Sequence, residues 1–245
     1  MNETIDLLMN HRSIRQFKDE SLTDEQIKTI IQAGQAASTS SYYQAYTIIG
    51  VTDDKLKRQL REVSGQEYVE HNGHLFVFCA DLNRMYQSQD VETQEKMKDN
   101  IENTEFFMMS TIDATLAAQN AAVASESLGL GICYLGSLRN DINRVNELLS
   151  LPQYVIPLFG MAVGVPDEEP DVKPRFDFNA IYHENGYQDH TKHVEQFNKT
   201  TEQYYEDRSF NTKVDNWSKQ VERKLSKPMR MDVTDFVKQK GLNKR

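Results

Sequence analysis

Apolar residues recur along this chain in two rhythms, a spacing of three to four residues and short unbroken runs, and together they predict helices interleaved with strands. Ile5, Leu8 and Met9 follow polar Asn2 and Thr4 at helical spacing, predicting a short amphipathic helix that ends on His11-Arg12-Ser13-Ile14-Arg15. A second helix is announced by the capping-box pair Thr23 and Gln26. Leu22 and Ile27 are placed as its hydrophobic staple, Ile27, Ile30 and Ile31 as its buried stripe, and it closes near residues 34–37. Residues 46–51 read as a strand, after which Thr52 caps a helix carrying Leu56, Leu60 and Val63. Residues 75–80 are a buried strand by length and by aromatic and β-branched content.

Residues 87–102 are charged and thinly apolar, which predicts a solvated helix or excursion rather than core. From Phe106 to Leu128 the chain becomes a long helix, apolar on much of its circumference and lined with small residues. Such a helix belongs either at the centre of a core or in a subunit interface. Gly129 and Gly131 end it, residues 132–135 form a strand, and Gly136-Ser137-Leu138-Arg139 is a small-residue turn. That turn is either ordinary or open enough for backbone donors to approach a planar ligand. Asn140 or Asp141 caps a helix with Val145, Leu148 and Leu149 that stops before Pro152. Residues 155–165 are the longest strand-like run, with Pro157 expected near a strand start or at a sheet edge. Phe197 and Tyr204 mark one late helix, Trp217, Val221 and Leu225 another, and Phe236 and Val237 a last one closed by Gly241. With no internal repeat or low-complexity linker, the pattern predicts one domain over residues 1–245 with a helical C-terminal arm at about 191–245.

Charge narrows the partners. At 245 residues and 38% hydrophobic the chain can bury a substantial core, and its formal net charge of -9 argues against nucleic acid or an anionic membrane surface. No apolar run approaches ~18 residues and the first residues lack signal-peptide character, so a cytoplasmic protein is expected. Cys79 and Cys133, the 2 cysteines, sit in apolar runs and read as buried, reduced thiols; the 6 histidines are scattered without ligand spacing, so no metal is expected.

Against this acidic background, compact cationic stretches carry the candidate chemistry. His11-Arg12-Ser13-Ile14-Arg15 reads either as a solvated helix end or as an anion grip, since guanidinium forks and a short hydroxyl match phosphate or carboxylate oxygens. Ser38-Thr39-Ser40-Ser41-Tyr42-Tyr43-Gln44 is either a polar loop or a set of donors for phosphate or ribityl oxygens. Lys173-Pro174-Arg175 is a second basic pair in a loop leaving a core strand, a favoured place for sites.

Residues 11–15, 38–44, 129–139 and 173–175 occur in an order that resembles the flavin-dependent, oxygen-insensitive NAD(P)H nitroreductase and flavin reductase family, in its larger NADPH-preferring branch. The likeness runs through essentially the whole chain and includes residues 76–81, Ala118-Gln119-Asn120-Ala121, Leu158-Phe159-Gly160, Tyr182-His183-Glu184-Asn185 and Asn216-Trp217-Ser218. It implies an α+β fold, a mixed, mainly antiparallel sheet flanked by helices, built as an intertwined homodimer with tightly bound FMN at the subunit interface. By position, His11, Arg12, Ser13 and Arg15 would hold the FMN phosphate and ribityl end, with Lys173 and Arg175 as further cations. Ser38, Thr39, Ser40 and Gln66 would bond the ribityl chain or ring edge, and Tyr134, Leu135, Gly136 and Ser137 would lie along the isoalloxazine. Ser137 stands where relatives often have Gly. Tyr42 and Tyr43 would wall the substrate face, Arg208 and Lys213 would take the 2′-phosphate of NADPH with Arg230 as a further candidate, and Val214 replaces a frequent second basic residue.

The implied activity is ping-pong hydride transfer from NADPH through FMN to nitroaromatics, quinones or free flavin. The alternatives are a reductase that supplies free reduced flavin to a partner, and a flavin binder without turnover.

Overall fold

The computed structural model describes residues 2–208 and 212–245. They form two compact units, one holding the residues up to Glu169 together with Arg230–Arg245, the other Pro170–Met229. The first runs α1 (Glu3–Met9), α2 (Asp24–Gln35), β1 (Tyr46–Val51), α3 (Asp54–Ser64), β2 (His74–Asp81), α4 (Asn83–Gln87), α5 (Val91–Ile101), α6 (Thr104–Ser127), β3 (Gly131–Leu135), α7 (Ile142–Leu148) and β4 (Val155–Gly164). The second carries α8 (Phe178–Ile181), α9 (Thr191–Asp207) and α10 (Trp217–Leu225), and α11 (Val233–Gln239) belongs to the first.

Four strands, in the order β1-β2-β4-β3, pair antiparallel throughout. A parallel bridge from Ser13 to Ile132 beside β3 makes the sheet mixed, so the α+β class and the mainly antiparallel sheet expected from the sequence are found. Every residue of β2 is buried, because both faces of this central strand are covered. Its side chains alternate as a strand requires: Leu75, Val77 and Cys79 enter a core with Leu60, Leu138 and Val145, whereas Phe76 and Phe78 enter one with Ile30, Ala118 and Ala121. Both cysteines are buried and free, and burial pushes the Cys79 thiol up to about 12, so it packs as a small hydrophobe. Among the described residues no helix is long and apolar enough to cross a membrane.

Local chemistry explains most boundaries. Thr23 and Gln26 form both bonds of the capping box, and Leu22 and Ile27 enter the same apolar cluster. Gly65 ends α3 at φ 69°, a left-handed position that glycine takes without strain. One expectation is corrected. Asp53, not Thr52, caps α3, its carboxylate accepting from the Leu56 N–H at 2.7 Å. Asp and Thr are both competent caps, and only the backbone geometry chooses between neighbours. Pro157 is the third residue of β4, near its start as expected. It is tolerated because β3 pairs with β4 only as far as Gly160, so β4 has one neighbour there, and because the β2–β4 register breaks beside it, leaving Leu158 unpaired.

The charged segment 87–102 is helical over α5 but not wholly solvated. Ile101 is buried and Met97 packs on the core around Met109 and Ile156. The opposite holds for α1, whose apolar Ile5, Leu8 and Met9 are all exposed. On α6, Met109, Ala114, Ala117, Ala118 and Ala121 are buried, whereas Met108, Ile112 and Leu116 form an exposed row at four-residue spacing.

His74 opens β2 as a buried imidazole whose Nε2 has no hydrogen-bond partner among the described residues, its ring 4.4 Å from that of Phe76. Burial, and then the charge of Lys57, lowers its pKa from 6.5 to about 4. Because the folded chain resists a proton that the unfolded chain accepts, this residue costs nothing above pH 6.5, and stability falls as pH drops from 6.5 towards 4. Urea unfolding over this window should show wild type losing roughly 2 kcal/mol more than His74→Leu. Equal losses would remove His74 as the source.

Candidate functional site

The stretch after α1 is held to the sheet by its backbone. Ser13 bridges Ile132, the Ile14 N–H donates to the Ile132 carbonyl at 2.9 Å, Phe17 bridges Pro166, and the Lys18 N–H reaches the Val165 carbonyl. Gly131 permits the approach, since a Cβ there would lie 2.6 Å from Ile14 Cγ1. A carboxylate from the β4 exit completes the anchoring: Glu168 Oε1 accepts from the N–H groups of Arg15 at 2.5 Å and Gln16 at 3.2 Å. Residues 11–15 are therefore a strand-like segment beside β3, not a frayed helix end.

The side chains of this stretch divide by partner. His11 Nδ1 lies 2.6 Å from Glu126 Oε1, near the C-terminus of α6. Arg12 donates to the Asn10 carbonyl and to the exposed Glu169, each at 3.4 Å. Arg15 donates to the Ser13 carbonyl and neighbours the Tyr68 phenol, which burial and then Cys133 push up. Among the described residues Arg15 has no carboxylate within ion-pair distance of its side chain. The same bonding brings up the turn that follows α3, where Gln66 precedes Tyr68, and Ser64 Oγ lies 2.6 Å from Ser137 Oγ. The Ser137 hydroxyl is thus tied to the end of α3. Residues 11–15, 66–68 and 132–137 meet in one chain.

Along the last of these, Leu135 is buried, Tyr134, Gly136 and Ser137 are half-buried, and Tyr134 meets Phe159 edge-on with ring centroids 5.5 Å apart. Burial and then the Glu126 charge push the Tyr134 phenol up, so it stays neutral. Two further guanidiniums stand at the end of this strip. Arg139 donates to the Leu158 carbonyl, and Arg230 donates twice to Asn140 Oδ1, at 2.8 and 3.1 Å. Burial, and then the charge of Arg230, lowers the Arg139 pKa, and neither has a carboxylate ion-pair partner among the described residues. Arg230, expected near the nucleotide phosphate, belongs with this strip in the first unit.

The hydroxyl-rich loop lies elsewhere. Asp113, fully buried on α6, accepts from the N–H of Ser40 and of Ala45, both at 3.0 Å, and so fixes both ends of the segment. Ser41, Tyr42 and Gln44 have φ of 47°, 63° and 51°, three left-handed positions without glycine that such anchoring must maintain. Tyr42 projects at 83% exposure, while Tyr43 lies near Phe106. Asp113 and Glu126, which hold the 38–44 loop and His11 respectively, are separated by ~20 Å along α6 at about 1.5 Å per residue. Within one chain Ser38, Thr39 and Ser40 therefore do not meet His11, Arg12, Ser13 and Arg15.

The remaining candidates belong to the second unit. Lys173 and Arg208, assigned by position to different ligands, line one cavity of about 600 Å³ with Thr200, Gln203 and Asp207. Arg175 lines another of about 280 Å³ with Phe176, Phe197 and Trp217. Lys213 is engaged by Asp215 at 2.5 Å. The carboxyl of Asp215 is held far below the usual range by hydrogen bonds from Arg223, against the opposing effect of burial, and from Lys213. Val214 is exposed, and Ser209, Phe210 and Asn211 lie outside the described residues.

Asp113, Glu126, Glu168 and Arg139 were not among the sequence candidates. Asp113 carried a signal all the same: a single carboxylate interrupting the buried stripe of Met109, Ala114 and Ala117 must have donors to meet.

The residues fit an anionic, planar, phosphorylated ligand on two observations, the guanidiniums of Arg15, Arg139 and Arg230, which have no carboxylate ion-pair partner among the described residues, and the half-buried backbone strip at 136–137. A cavity of about 610 Å³ behind the grip does not share this character, since Glu126, Glu168 and Glu169 line it with Arg12.

Comparison with known proteins gives the same picture at the level of family. The model described as "Nitroreductase family" matches residues 8–165, and the one described as "Nitroreductase family, C-terminal domain" matches residues 173–245. The chain is 49% identical over 249 residues to a Bacillus subtilis protein named FMN reductase (NADPH), covering 100% of both. The structure of B. megaterium NfrA1 superposes with a TM-score of 0.96 at 47% identity, covering 99% of this chain and 100% of that one. The NADPH:FMN oxidoreductase from Vibrio harveyi, solved with NAD+, gives 0.89 at 39% identity, with 100% of both chains covered.

Removing the acceptor at position 113 leaves two N–H groups without a partner. Asp113→Ala should cost roughly 2–4 kcal/mol of stability and speed hydrogen exchange at Ser40 and Ala45. Unchanged exchange at both amides would overturn the anchoring role.

Proposed function

The chain belongs to the nitroreductase family, and from that premise we propose that it is an FMN-dependent oxidoreductase passing hydride from NADPH to nitroaromatics, quinones or free flavin by a ping-pong mechanism. The observation that carries the reading is the backbone-anchored cationic stretch 11–15 beside the open strip 134–137. Bound FMN would supply the redox chemistry, accepting hydride from nicotinamide and delivering it to the acceptor. The chain's own residues bind and orient. Arg12, Arg15, Ser13 and His11 would hold the phosphate and ribityl end, with Lys173 and Arg175 as further cations. The 134–137 strip would lie along the ring with Gln66 at its edge, and a guanidinium such as Arg139 near the strip would favour a reduced anionic ring.

Ser38, Thr39 and Ser40 would complete the site from a second copy. The support is physical: ~20 Å of α6 separates them from His11 in one chain, by about 1.5 Å per residue. The exposed row Met108, Ile112 and Leu116, with Ile5, Leu8 and Met9 on α1, is an apolar face suited to a two-fold partner. Antiparallel packing of α6 on its copy would bring the Asp113 end of one protomer to the Glu126 end of the other, and Tyr42 and Tyr43 would wall the shared cleft. This homodimer, acting as one functional domain over 1–245 with a C-terminal arm at about 191–245, would work in the cytoplasm, where buried free thiols stay reduced.

For the nucleotide, Arg208, which lines the 600 Å³ cavity with Lys173, and Lys213, which Asp215 holds, are the candidates for the 2′-phosphate. A second reading, a reductase whose product is free reduced flavin, is favoured by the name of the B. subtilis relative.

Purified protein supplied with FMN should be yellow and be bleached by NADPH under anaerobic conditions. Arg12→Ala and Arg15→Ala should each weaken FMN binding about tenfold or more with the fold intact, as a lost charge-assisted phosphate contact requires; unchanged affinity in both would overturn the site. Comparing kcat/KM for NADPH and NADH decides the nucleotide, with equal values removing the preference. Turnover of free FMN far above that of a nitroaromatic would select the second reading.

A further inference from the structure

A carboxylate near the end of α6 is poorly placed for stability. Glu126 is largely buried, lies in the last turn where the helix dipole is negative, and has no basic residue in that turn to offset it. It also neighbours the buried phenol of Tyr134, which can give it no charge. The cation-forming group it touches is His11, with Nδ1 2.6 Å from Oε1. A costly acid kept against a histidine of the anion grip has a use if it sets what that histidine presents.

We propose that Glu126 is a positioning residue of the flavin-phosphate site, orienting His11 through Nδ1 so that Nε2 is presented as a donor to the ligand's phosphate. This rests on the flavin-site reading above. The chemistry follows from the ring. With Nδ1–H donated to Glu126, Nε2 has no partner among the described residues, and an imidazole that donates from both nitrogens is the cation. In the complex the ring would stand between the Glu126 carboxylate and the phosphate, donating to each. Glu126 also restricts the ring's rotation, so less freedom is lost when the ligand binds. Histidine metal sites use the same arrangement, an outer carboxylate fixing the nitrogen that is not the ligand.

The test is a double-mutant cycle on FMN affinity, read by quenching of flavin fluorescence in Glu126→Gln, His11→Ala and the double variant. Glu126→Gln keeps the shape and removes the charge. It should weaken FMN binding about tenfold in the presence of His11 and less than twofold in its absence, since its effect passes through the imidazole. Equal losses in both backgrounds would overturn the proposal by making Glu126 merely structural. A long-range ¹H–¹⁵N spectrum of histidine-labelled wild type needs no variant: both His11 nitrogens should be protonated in the FMN complex, and an unprotonated Nδ1 would overturn the proposal. Loss of affinity in Arg12→Ala and Arg15→Ala with none in Glu126→Gln would sink this inference alone. No loss in any of them would sink the underlying site as well.

Discussion

A 24-residue helix cannot shorten, and α6 imposes that rigidity on everything attached to it. One side carries small side chains, Ala114, Ala117, Ala118 and Ala121, which let the sheet and α2 approach closely. Near its start Asp113 gathers the two ends of the hydroxyl-rich loop, and near its finish Glu126 gathers His11. Loop and grip are therefore set at a distance no side-chain rearrangement can close. The apolar row Met108, Ile112 and Leu116 flanks the first of those anchors on the exposed side of the helix. The geometry that separates the half-sites within a chain thus also offers the surface on which a second chain would reunite them.

The cationic stretch gains its character from the backbone rather than from its side chains. Bridges to Ile132 and Pro166 and two N–H bonds to Glu168 fix residues 13–18 before any ligand arrives. Preorganised donors bind an anion without the entropy cost that a mobile helix end would incur. An acidic protein with a net charge of -9 also needs such cations shielded from its own carboxylates. Arg15, Arg139 and Arg230 meet this condition by bonding to carbonyl, phenol and amide groups instead of acids.

Much of the fold was legible in order. Continuous apolar runs marked β2 and β4, the Thr23–Gln26 pair marked the start of α2, and the two cysteines read correctly as buried thiols, because each signal is local and short-ranged. The failures are equally specific. Thr52 and Asp53 are chemically interchangeable as caps. Ile101 is buried from within a charged segment because α5 turns it, with Met97, inward.

By itself the sequence determined the types of the elements, their order, the buried strands and the clusters of cationic and hydroxyl residues, all set by side-chain periodicity and turn chemistry within a few residues. Only the tertiary structure decided which clusters meet. Residues 11–15, 66–68 and 132–137 converge because strand pairing joins segments far apart in the chain, while residues 38–44 remain at the other end of α6. The roles of Asp113, Glu126 and Glu168 emerged in the same way. A carboxylate's worth depends on the donor it faces, and those donors lie tens of residues away or more along the chain.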